Sequence, residues 1–263
     1  MPANKDLIPV SSHGWRGGLG NMLHGELGRW FGTRTWWTQA LIWVLVINGL
    51  LLAILVQDET VGIPDVTALY CIFAGMFPSI AVVIAAQDAV VGEKEKGTAA
   101  WVLSKPVSRT AFILSKTFGY GLGILVSLVL IPAGIAFLEF RIVGGFAVDP
   151  VKFAVGTGML WLYLCFYLLL TLMLGTLFSS RPAVIGIPLA LAFGQQLLFS
   201  LLPAAIKVMP WTIIAPIGDM DTSIISAIMA GRTPPDITPF YVACAAIAVF
   251  LAIGLWRFER EEL

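Results

Sequence analysis

The run from Glu93 to Pro106 reads EKEKGTAAWVLSKP and opens on four consecutive charges. Charges alternate in sign from Glu93 to Lys96, and Trp101-Val102-Leu103 follows a few residues later. Such a stretch can dock a partner, with the aromatic supplying binding energy and the charges setting orientation and association rate. It can equally be a solvated loop with Trp101 in the headgroup belt. Residue types alone leave both readings open. Catalytic chemistry has less support. None of the seven lysines follows a glycine, so the chain has no P-loop. The two histidines, His13 and His24, do not form HExxH. There is no GxSxG elbow. Cys71, Cys165 and Cys244 lie singly in apolar runs and read as small core residues, with no metal expected.

These residues sit in a very apolar chain. Of 263 residues 58% are hydrophobic and 12% charged, with a mean hydropathy of +0.89. A soluble domain carries about 25% charged residues. Lys plus Arg and Asp plus Glu both number 16, and no basic patch points to nucleic acid. The composition implies an all-α membrane protein. Spanning takes about 20 apolar residues. Six runs qualify: Trp37–Val56, Ala68–Ala86, Phe118–Leu138, Val151–Phe178, Val184–Leu202 and Pro239–Arg257. Placing the N-terminus inside puts twelve Lys and Arg on the inner side and four on the outer side. That bias predicts cytosolic N- and C-termini. The first residues hold no signal-peptide core, which predicts a retained N-terminus.

Three segments lie outside the spans. Residues 15–34 make an amphipathic helix, with Trp15, Leu19, Met22, Leu23, Leu27, Trp30 and Phe31 on one face. Five glycines weaken it as a free helix, so the membrane surface or a partner must hold it. Segment 203–238 alternates prolines with apolar pieces too short to span, and predicts short interfacial or re-entrant helices outside. In 87–117, Gly97 stops the helix leaving the second span and Thr98 caps a short helix over Ala99–Ser104. Pro106 ends that helix, and Ser108 caps the helix entering the third span. A short cross-helix then presents Trp101, Val102 and Leu103 to the cytosol.

Inside the membrane the polar residues are Asn48, Gln195 and Gln196. They can bond helix to helix, at about 1 kcal/mol or less, or line a pathway. No chain of buried acids or histidines forms an ion relay, so the energy must come from another protein. Gly119 with Gly123, and Gly186 with Ala190 and Gly194, recur at intervals of four and mark close helix packing within the chain or between two copies.

The stretch EKEKGTAAWVLSKPVSRTAFILSK resembles the loop of permease subunits of ABC-2 type transporters. The matching residues are Glu93, Glu95, Gly97, Thr98, Leu103, Pro106, Val107, Ser108, Arg109 and Lys116. His24-Gly-Glu-Leu27 through Trp37, and Trp256 to Leu263, are similar to the family's beginning and end. The resemblance implies a dimeric permease in the plasma (inner) membrane, among lipids, bound to two separate ATPase subunits. ATP and magnesium would be used there, with no cofactor on this chain. It implies that the cross-helix is a coupling helix, so that Glu93, Glu95, Gly97, Thr98, Trp101, Leu103, Pro106 and Arg109 serve ATPase coupling. It implies that the outer segment closes the exit side and that transport is export. A membrane scaffold and an ion-driven carrier are the alternative classes.

Overall fold

The computed structural model describes residues 14–57, 60–105, 107–202, 208–217 and 220–261. Pro106 and Asp219 lie outside them, as do the side chains of Leu103 and Gln196. The described residues form helices and connections, without a strand. In chain order they are α1 (Leu19–Phe31), α2 (Thr35–Gln57), α3 (Ile63–Glu95), α4 (Thr98–Leu103) and α5 (Arg109–Ile142), then α6 (Pro150–Leu177), α7 (Arg181–Leu201), α8 (Trp211–Ile214), α9 (Ile224–Met229) and α10 (Thr238–Glu259). Among them α2, α3, α5, α6 and α10 are long and apolar enough to cross a membrane. The run expected as a further crossing, Val184–Leu202, falls in α7, a helix of 21 residues containing Pro188.

The centre of the bundle is α6. Its apolar window is 78% buried, against 17% in α10. A helix that is apolar all round belongs in the middle, and α6 packs against α3, α7, α9 and α10. Helices α3 and α5 have 33 and 34 residues. A span needs about 20, so each is longer than a straight crossing requires by roughly 20 Å.

Three spans contain a wide π-helical stretch: Val44–Asn48, Asp88–Gly92 and Leu125–Leu130. Two have visible causes. The ring of Pro132 crowds the carbonyl four residues back, at Leu128, inside the third stretch. At Gly92 the folded-back Asp88 carboxylate occupies the place a Cβ would take.

The amphipathic helix has a partner within the chain: α1 runs alongside the first turns of α5. A Cβ on Gly119 would lie 2.6 Å from the Glu26 Cβ, and one on Gly123 would strike the Trp30 indole. The first glycine pair therefore packs one chain against itself. Trp30 Nε1 donates to Ser127 Oγ at 3.2 Å. Gly186 and Gly194, by contrast, have open space where a Cβ would stand.

At the opposite end, α8 and α9 are tucked inward. Gly75 and Gly156 make room for Ile214 and Met229. Ser223 and Ser226 cap α9 reciprocally, at 3.2 and 3.1 Å. The short helices, expected as interfacial or re-entrant, are buried against α3 and α6.

Candidate functional site

The last turns of α3 and the first turns of α5 meet both described ends of the chain. Gly97, at φ +68°, takes the left-handed conformation that stops α3. Thr98 Oγ1 donates back to the Glu93 carbonyl at 3.1 Å, so it closes the old helix as α4 begins. Ser108 caps α5 as expected, accepting from the Ala111 N–H at 3.0 Å. Ser108 also donates to the Trp15 carbonyl at 2.6 Å, which ties the turn to the start of the described chain.

The charges of this hub are consumed internally. Lys116, 1% exposed, donates to Glu26 at 2.6 Å and pairs with Glu93. Arg29 reaches the same Glu93 oxygen at 2.9 Å. That hydrogen bond holds the Arg29 guanidinium above its ordinary range. Two carboxylates and two cations thus join α1, α3 and α5. Taking one member of a buried set like this away costs about 3–5 kcal/mol, because the others are left uncompensated.

Lys94 and Arg109 solve a different problem. The last carbonyls of a helix have no partner within it and carry its negative end. Lys94 donates to the Gly175 carbonyl at 2.9 Å, ending α6, and to Glu261 at 2.7 Å. Arg109 donates to the Glu259 carbonyl at 2.9 Å, ending α10. Arg181, at the start of α7, binds Glu95 at 2.8 Å and Asp88 at 3.3 Å. Of the residues expected to couple to a partner, Glu93, Glu95 and Arg109 therefore hold the chain's own elements together.

Helix α4 is the exception. Trp101 is 62% exposed, and its ring is covered by Lys105 Nζ at 3.6 Å. It is a large aromatic presented outward on a braced support. Of the polar residues Asn48, Gln195 and Gln196, the two with described side chains have partners on other helices. Asn48 donates to the Pro132 carbonyl at 3.0 Å and to Glu139 at 3.2 Å. Gln195 donates to the Tyr167 hydroxyl at 3.2 Å and accepts from the Trp211 N–H at 2.8 Å.

Sequence reasoning missed the parts played by Glu26, Lys94, Lys116 and Arg181. A signal for one was present. Met22, Glu26 and Trp30 are spaced by four, so an acid sits on the apolar stripe of α1 and needs a buried cation.

These features describe a multi-pass helical membrane protein with a braced, projecting end and an uncovered aromatic upon it. Residues 16–263 match the ABC-2 family of transporter proteins, and the chain belongs to that family. Over 202 residues it is 30% identical to the probable ABC transporter permease protein NosY of Pseudomonas aeruginosa, covering 69% of this chain and 70% of that protein.

Proposed function

We propose that this chain is the permease subunit of an ATP-driven exporter in the inner membrane, a single domain over 1–263. It crosses six times, with α7 as the fifth crossing and both termini in the cytosol. Two copies form the pathway, and separate ATPase subunits supply ATP and magnesium chemistry. The observation that carries this reading is α4. Its Trp101 is exposed, while the charges beneath it fasten the last turns of α3 to α1, α5 and α6. A push on α4 would therefore reach the spans through buried ion pairs and not through a loose loop. The name of the Pseudomonas relative, a probable permease, supports the same assignment.

The test is co-expression with the ATPase encoded beside this chain, followed by purification in detergent. Trp101→Glu should remove the ATPase and abolish ATP-dependent transport. Full retention of both refutes docking through α4. The pathway is tested with cysteines at Asn48, Gln195 and Gln196. Labelling by a water-soluble thiol reagent in one nucleotide state supports lining. No labelling in any state leaves a scaffold as the better reading. A cysteine at Ala190 tests the open face of Gly186, Ala190 and Gly194, where oxidation should cross-link two copies.

A further inference from the structure

Away from α4, toward the far end of α5, the helices α5 and α6 part around a cavity of about 340 Å³. Leu125, Leu130 and Phe137 wall it from α5, and Phe153 and Gly158 wall it from α6. Leu125 and Leu130 share the wall because the wide π-helical stretch brings residues five apart into line. The polar side chain of the wall, Thr157, is turned to its own helix and donates to the Phe153 carbonyl at 2.8 Å. Small residues in spans ordinarily mark close helix contacts. Gly134 and Gly158, both on this wall, do not: a Cβ on either would meet nothing within 4 Å.

Length decides what fits. Leu125 and Phe137 are twelve residues apart, which is about 18 Å along a helix. The hydrocarbon of one leaflet is about 15 Å deep, and a crossing helix needs about 30 Å. The channel therefore matches one acyl chain of one leaflet. A helix about 10 Å across could only lie over it.

Charge points to the headgroup. Arg141 lies one turn beyond Phe137 on the same stripe of α5, and its guanidinium stands over the Phe137 ring at 5.6 Å. That turn adds about 6 Å, comparable to a headgroup layer of about 5–8 Å. Arg141 has no carboxylate partner among the described residues. The acids nearest it in the chain are engaged elsewhere. Glu139 accepts from Asn48 at 3.2 Å, and Asp149 caps α6 by accepting from the Val151 N–H at 2.8 Å.

We infer that this channel holds an acyl chain of an anionic phospholipid, with Arg141 on its phosphate. The lipid belongs to the leaflet opposite α4. Its tail fills the space that Gly134 and Gly158 leave open, and its headgroup takes the unpaired guanidinium. Bound there, it ties together two consecutive spans that are joined in the chain only through residues 143–149.

The full chain, purified in mild detergent and stripped of lipid, is titrated with phosphatidylglycerol and with phosphatidylcholine, and binding is read by native mass spectrometry. Phosphatidylglycerol should bind about tenfold more tightly, the scale of a charge-assisted contact. Gly134→Leu with Gly158→Leu fills the channel, and Leu suits a helix better than Gly. That pair should lower phosphatidylglycerol affinity about tenfold or more. Arg141→Gln should still bind lipid but bring the two lipids within about twofold of each other. Val155→Leu is the control, exposed on α6 outside the channel, and should bind like the unmodified chain. Melting temperature separates lost binding from lost fold: phosphatidylglycerol should raise that of the unmodified chain by mass action and leave that of the filled pair unchanged. Unchanged affinity in the filled pair, or an unchanged preference for phosphatidylglycerol in Arg141→Gln, overturns the inference. Efficient oxidative cross-linking of two copies through Gly134→Cys gives the channel to a second copy and overturns it as well.

Discussion

Glu93–Lys96 and Thr98–Lys105 are adjacent in the chain, separated by Gly97, and their surroundings differ completely. In the first, Glu93, Lys94 and Glu95 bind Lys116, Glu261 and Arg181 from three other parts of the molecule. In the second, the largest side chain is 62% exposed and touches a lysine of its own turn. Density of charge thus marks the half that braces the fold, and the apolar half is the one left bare. The charges are inward because they lie on the last turns of a long helix packed among others. Trp101 is outward because Gly97 turns the chain away from them.

Substitutions should separate the two halves by size of effect. Lys116→Met removes the buried cation and leaves Glu26 and Glu93 only the exposed Arg29, so it should cost roughly 3 kcal/mol, read as a large fall in melting temperature in detergent. A melting temperature within error of the unmodified chain would remove the bracing role of Lys116. Gly123→Leu drives a side chain into Trp30 and should cost about 1–3 kcal/mol. It should also expose residues 14–34 to protease, and unchanged cleavage would contradict the packing of α1 on α5. Gly97→Ala meets no neighbour but keeps a positive φ, so it should cost about 1–2 kcal/mol from backbone strain alone. Arg181→Ala breaks half-exposed pairs and should cost about 0–1 kcal/mol. Trp101→Ala should change stability by less than about 0.5 kcal/mol while weakening ATPase binding, and a larger loss would mean that α4 also supports the fold. Stability near neutral pH should not vary on account of Arg29. Its value is raised, so its contribution is complete below the ordinary arginine range and is lost only above it.

Much of the frame was legible before the structure. The apolar runs were legible because a bilayer demands length and hydropathy. The stop at Gly97 and the cap at Ser108 were legible because their chemistry is local. The placement of α9 at Ile224–Met229 agrees with the short apolar piece between prolines. The packing partners of α8 and α9 were not legible, since they depend on Gly75 and Gly156 in helices far away in the chain. The roles of Asn48 and Gln195 were open for a similar reason. Each finds a partner on another helix, at Pro132 and Trp211, and nothing nearby in the chain indicates it.

The five glycines of the first segment show both sides of this division. Composition alone established that α1 is a weak helix needing support. Only the tertiary structure showed what the glycines face: Gly20 and Gly25 border a cavity, while Gly28 is open to its surroundings. Membrane spans, caps and breaks follow from the sequence by itself, because each depends on a side chain and its nearest backbone. The pairing of Glu26 with Lys116, ninety residues apart, was decided by the fold. A buried charge requires an opposite charge, and its place in the chain does not say from where that charge will come.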